Sequence, residues 1–298
     1  MRKRAYLFDM DGVLVDNCRY HVLSWLELAK RHGGKLTEAQ VVEWMGAPAR
    51  DYIVRMFEEP MDDVRIAALA EEKEAVYREL YRPQLEPRKG LLEFLQGAKK
   101  TGVACAVVTG GSRANIDFVL DGLNIREYFS CIVDSSQYER GKPAPDCYLQ
   151  AAAKLGVEPR DCIVFEDAVN GIEAAIGAEM RVVAITGTNI HKTLEDAGPD
   201  KIVSSFDELW HLNEYTLEDK LTLALLWLNR FRDEKDAPFC AWKTMGFDNL
   251  NALEDRDLIF EYSRRRRMTS PIVFTKDGEA EAKRLIAIVS KALDEMKR

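Results

Sequence analysis

Four short stretches hold the residues that could do chemistry. They are FDMDG with Asp9 and Asp11, VVTGG with Thr109, Gly110 and Gly111, RGKPAPD with Lys142, and VFEDAVNG with Glu166 and Asp167. Two aspartates one residue apart repel each other, so positive charge or a shared proton should compensate them. A solvated Asp-Gly turn after an edge strand would also tolerate the pair. The four stretches together favour phosphoryl transfer. A carboxylate can attack phosphorus and carry the group as an aspartyl phosphate. The Thr109 hydroxyl and the amides of Gly110 and Gly111 can hold phosphate oxygens, and Lys142 supplies fixed positive charge beside the nucleophile. Asp9, Glu166 and Asp167 form an all-oxygen set suited to Mg²⁺, which keeps waters and binds substrate phosphate.

Something must bring these stretches together. Four apolar runs predict buried strands: AYLFD (5–9), VACAVVTG (103–110), CIVFED (162–167) and RVVAIT (181–186). CIVD (131–134) and KIVSS (201–205) are weaker candidates. Helical patterns lie between them at 90–102, 114–125 and 146–157. Continuous apolar strands alternating with helices predict a parallel sheet covered on both faces, with its ligand site at the carboxyl ends of the strands. Asp9, Thr109, Glu166 and Asp167 all fall at such ends. Residues 18–86 break the alternation with helical stretches alone, which reads either as a lobe that closes over the strand ends or as structural padding.

In this order at strand ends, the motifs resemble the haloacid dehalogenase superfamily of phosphatases and phosphomutases, over roughly residues 1–212. The resemblance implies a Rossmann-like parallel α/β core at 1–17 and 87–212, with a helical cap at 18–86 inserted after the first strand. It assigns Asp9 as nucleophile, Asp11 as general acid/base, Thr109 as the second-motif hydroxyl and Lys142 as the third-motif lysine. Mg²⁺ would be held by Asp9, the Asp11 backbone carbonyl, Glu166 and Asp167. Asp11 also argues against dehalogenation, since that branch lacks the second aspartate. The stretch RYHVLSW, with Tyr20, His21 and Trp25, is similar to the β-phosphoglucomutase-like subgroup. His21 could bond the reacting hydroxyl or Asp11 when the cap closes; an ordinary helix-surface histidine is the alternative. Trp25 reads as core. Arg50 in the cap loop, Lys73 four residues before Tyr77, and Arg113 after the second motif are candidates for substrate phosphate, each also readable as a surface charge.

Composition bounds the rest. The 298 residues carry a net charge of −8, all of it in residues 1–212, because residues 213–298 are charge-balanced. That argues against a surface-wide nucleic-acid binder. Six scattered cysteines without a CxxC predict a reducing, cytoplasmic setting, and no apolar stretch reaches the ~20 residues of a membrane span. Residues 213–298 predict a small helical domain that resembles a winged-helix module: an amphipathic helix at 217–234, further helix across FDNLNALEDRDLIFEYS, then a short strand and a closing helix. Arg264–Arg267 could meet nucleic-acid phosphates, a less favoured option than a solvated turn or a patch facing the acidic lobe. The expected activity is Mg²⁺-dependent hydrolysis of a small phosphorylated metabolite such as a sugar phosphate. The alternatives are a sugar phosphomutase and a phosphometabolite-sensing regulator.

Overall fold

The computed structural model describes residues 4–44, 47–57, 60–187, 191–209, 217–228, 240–241, 250, 253, 258–260 and 272–296. The chain divides into two compact units, Arg2–Asp207 and Glu208–Arg298.

The first unit is built on a six-stranded parallel sheet. Its strands are β1 (Ala5–Phe8), β2 (Ala104–Val108), β3 (Cys131–Val133), β4 (Cys162–Glu166), β5 (Arg181–Ile185) and β6 (Lys201–Val203), in the order β3-β2-β1-β4-β5-β6. All six occur where apolar runs predict them. Period-two alternation splits β1 between two cores. Tyr6 and Phe8 point into an aromatic cluster with Phe94, Phe165 and Phe206, in which Phe8 stacks on Phe165 at 4.7 Å. Ala5 and Leu7 face the other way, into an aliphatic core with Ala106, Val108, Val164 and Ile172. Helices α5 (Leu91–Thr101), α6 (Arg113–Gly122), α7 (Asp146–Leu155), α8 (Val169–Gly177) and α9 (His191–Asp196) connect the later strands. With both faces covered, β1 is fully buried and its only polar outlet is its carboxyl end.

Between β1 and β2 lie α1 (Cys18–His32), α2 (Glu38–Glu43), α3 (Ala49–Phe57) and α4 (Asp63–Tyr81). They pack around their own core of Trp25, Leu28, Val41, Tyr52, Ile53, Met56, Ile66 and Leu69. The α2 start is fixed by a capping box in which Thr37 and Gln40 satisfy each other's backbone amides. On α4 the buried stripe runs Ile66, Leu69, Lys73, Val76, Tyr77, at helical spacing. Lys73 is the charged member of that stripe.

In the second unit, α10 (Leu217–Leu228) and α11 (Lys276–Met296) accompany a small antiparallel sheet of β7 (Cys240–Ala241), β8 (Ile259–Phe260) and β9 (Ile272–Phe274), in the order β7-β9-β8. Leu223, Leu226, Trp227, Leu253, Ile259 and Phe274 form its core. The helix predicted across residues 247–263 is corrected at Ile259–Phe260, which pair as a strand with Phe274 and Val273. A β-branched and an aromatic residue beside a partner strand favour that outcome. Arg264–Arg267 lie outside the described residues. Among the described residues no helix is long and apolar enough to cross a membrane.

Candidate active site

The site begins with the turn after β1. Asp9 follows the strand directly, and its amide donates to the Phe165 carbonyl of β4 at 3.0 Å, which fixes the carboxylate at the sheet's carboxyl edge. Gly12 then takes φ +76°, a conformation that side chains resist, and a Cβ there would lie 2.0 Å from Asp167 Oδ2. Glycine therefore lets Asp167 reach the turn that carries Asp9 and Asp11.

Lys142 reaches in from the loop before α7. Its ammonium donates to Asp9 Oδ1 at 2.5 Å and to Glu166 Oε1 at 2.6 Å. Burial works against its charge, but Asp9 and Glu166 outweigh it, so Lys142 stays protonated well beyond the usual lysine range. Burial pushes the Asp9 carboxyl upward; Lys142 opposes that, and Glu166, Asp167 and Asp11 add to it. A crowd of carboxylates with one ammonium calls for a further cation.

Glu166 is not free to supply that cation with a ligand. Its Oε1 accepts from Lys142 and from the Tyr148 hydroxyl at 2.9 Å, and its Oε2 accepts from the amides of Asp167 and Ala168. It is buried and spent as the anchor of Lys142, which corrects its expected place among the metal ligands. Asp9, Asp167 and the Asp11 backbone carbonyl remain. That hard-oxygen set with room for water fits Mg²⁺, which uses one or two carboxylates plus substrate phosphate. Among the described residues no closed cage of three or more His, Cys, Asp or Glu side chains is present.

Asp11 is held by a residue the motifs did not single out. Asn17 donates one amide N–H to Asp11 Oδ1 at 2.5 Å and the other to the Tyr77 hydroxyl at 2.6 Å, and its Oδ1 accepts from the Gly12 amide. An asparagine just before a helix predicts a cap, yet Asn17 makes no side-chain cap bond to α1. His21 stacks on Tyr77 at 4.0 Å, with Nε2 3.7 Å from Asp11 Oδ1 and Nδ1 2.9 Å from Lys73 Nζ. An ammonium can only donate, so Nδ1 accepts and the ring proton sits on Nε2, facing Asp11. Burial would raise the Asp11 carboxyl, but the neighbouring His21 ring, the Asn17 hydrogen bond and the Lys73 charge hold it below the ordinary range.

These groups line one cavity of about 560 Å³, together with Thr109, Gly110, Gly111, Trp25 and Tyr52. The Gly111 amide donates to Thr109 Oγ1 at 2.9 Å, so it is not directed at a ligand as expected. Trp25 belongs to the cap core and also to the cavity wall, stacked on Tyr52 at 4.5 Å. Two expected phosphate contacts are corrected. Arg50 is exposed and pairs with Asp63 at 2.5 Å, and Arg113 is exposed and pairs one helical turn on with Asp117 at 3.1 Å; neither lines the cavity. Each arginine has a nearer carboxylate on its own surface. Asn115 and Glu74 do line the cavity, and only the fold brings them together.

Residues 6–185 match the family described as haloacid dehalogenase-like hydrolase, and residues 217–291 match a domain of unknown function, DUF6429. The fructose-1-phosphate phosphatase YqaB of Escherichia coli is 31% identical over 186 residues, 62% of this chain and 97% of that protein. A phosphorylated carbohydrates phosphatase of Thermotoga maritima is 30% identical over 70% of this chain and 98% of its own length. Among solved structures, the β-phosphoglucomutase of Clostridium difficile superposes with a TM-score of 0.59 at 26% identity, covering 70% of this chain and 93% of that one.

Proposed function

Since the chain belongs to the haloacid dehalogenase-like hydrolases, as an enzyme of the phosphatase or phosphomutase type, we propose that it hydrolyses a sugar phosphate through an aspartyl phosphate on Asp9. The observation that carries this reading is the buried junction of Lys142 with both Asp9 and Glu166, which aims one carboxylate at the cavity and anchors the lysine from behind.

In the proposed sequence, Asp9 attacks phosphorus and the bond to the sugar oxygen breaks. Asp11 protonates that leaving oxygen, then takes a proton from the water that releases phosphate from Asp9. At rest Asp11 is ionised, which suits the second step; an incoming phosphate raises its proton affinity for the first. His21 and Asn17 hold Asp11 in place. Thr109 and Lys142 stabilise the transferring oxygens, as phosphoryl transfer requires. Mg²⁺ held by Asp9, Asp167 and the Asp11 carbonyl would neutralise charge between carboxylates and phosphate.

A mutase uses the same residues but needs a second phosphate site, and the outward pairing of Arg50 and Arg113 speaks against one. A purely sensing lobe would not need Asp11 held this way. Phosphorus NMR of fructose 1-phosphate with the protein and Mg²⁺ should show free phosphate accumulating, and EDTA should stop it. Isomerisation of hexose phosphates without free phosphate would replace the hydrolase reading with the mutase. The match of residues 217–291 to a domain of unknown function does not support the winged-helix-like reading of 213–298; a duplex-DNA gel shift tests any nucleic-acid role of this segment. A cytoplasmic setting is supported by the free thiols of Cys105, Cys131, Cys147 and Cys162.

A further inference from the structure

We infer that Glu74 sets the charge selectivity of the cavity, fitting it to a phosphomonoester whose leaving group carries hydroxyls and no second anionic group. The inference rests on the hydrolase reading above and specifies its substrate. Lys142 is committed to Asp9 and Glu166, which leaves Lys73 as the other lysine lining the cavity. Lys73 does not present a free charge. Its ammonium lies 2.9 Å from Glu74 Oε1 and 5.3 Å from the centre of the Trp25 ring.

Glu74 is in turn clamped. Its Oε2 accepts from Asn115 Nδ2 at 2.7 Å, and Asn115 Oδ1 accepts from Arg78 Nη1 at 2.7 Å. The chain of contacts runs from cap helix α4 to core helix α6 and back. A second phosphate entering here would have to sit against the Glu74 carboxylate or displace it from Lys73. Both are costly, because like charges in a partly desolvated site repel strongly. A neutral sugar meets neither obstacle. Its hydroxyls can donate to the Glu74 oxygens, and its C–H face can pack on the Trp25–Tyr52 wall.

The test is binding to the Asp9→Asn protein with Mg²⁺ present, so that nothing turns over. Titration calorimetry compares fructose 1-phosphate with fructose 1,6-bisphosphate. We expect the monophosphate to bind about tenfold tighter, and Glu74→Gln in the same background to shrink that ratio about tenfold by tightening the bisphosphate. That substitution keeps the volume and removes the charge, and near-UV circular dichroism checks the fold of the variant. Equal affinities with Glu74 in place would overturn the inference, as would failure of both sugars to bind. So would an unchanged ratio in a natively folded Glu74→Gln protein. Phosphate release by the unsubstituted enzyme is read separately. If it frees phosphate from hexose monophosphates yet its Asp9→Asn form binds the bisphosphate equally well, only the selectivity claim fails. If it frees none, the hydrolase reading fails.

Discussion

Asn17 shows how much of this site depends on one neutral side chain. It is fully buried and divides its two N–H groups between Asp11 of the core turn and Tyr77 of α4. Removing it would leave the Asp11 carboxylate and a phenol short of partners, at a cost of about 1–3 kcal/mol for each orphaned group. Asn17→Ala should therefore lower the melting temperature and reduce kcat by about tenfold or more while moving KM little. Steady-state kinetics at saturating Mg²⁺ separates the two constants. A change in KM alone would show that Asn17 serves substrate binding and not the placement of Asp11. Glu166 teaches the complementary lesson. Its residue type and strand-end position read as a metal ligand, and only its partners (Lys142, Tyr148 and two backbone amides) show that its oxygens are already used.

At the level of elements, β1, β2 and β4 deliver Asp9, Thr109 and the Glu166–Asp167 pair, and the turns and helices decide how closely those groups meet. Helix α8 starts two residues after Asp167, and a Cβ on its Gly171 would fall 1.7 Å from Glu166 Oε1. Gly171→Ala should force Glu166 aside, loosen Lys142 from Asp9 and destabilise the fold by about 1–3 kcal/mol through overpacking. Thermal unfolding with parallel activity measurements tests this, and an alanine tolerated on both counts would mean Glu166 is not held from that side. The strands were legible in the sequence because a sheet covered on both faces demands unbroken apolar runs such as AYLF and CIVFE. Their carboxyl ends therefore pointed to Asp9, Thr109 and Glu166. Contacts across the fold were not legible in the same way. Asn115 meets Glu74 only through the approach of α6 to α4, and no local pattern predicts it. Lys73 left a fainter signal, as a charge on the buried stripe of α4. Arg50 and Arg113 misled because an arginine near a loop looks the same whether it faces a ligand or a neighbouring aspartate.

For the whole molecule, every side chain assigned to the chemistry precedes Gly171, and the excess negative charge lies in the same part of the chain as the site. The unit Arg2–Asp207 carries its own sheet and cores. A protein ending at Asp207 should thus keep kcat/KM within about threefold of the full chain on a small sugar phosphate, since every group assigned to the chemistry lies within that unit. A folded truncation without activity would show that residues 208–298 help build the site. The central question is where the phosphoryl group goes. The direct measurement is radiolabel transfer from phosphate-labelled fructose 1-phosphate to the protein, quenched in acid and followed by peptide mapping. It is made on Asp11→Asn, in which release is slowed, and on Asp9→Asn. Label is expected on the peptide containing Asp9 in the first protein and nowhere in the second. Label at another residue, or an equally labelled Asp9→Asn protein, would contradict the assignment of Asp9 as the nucleophile.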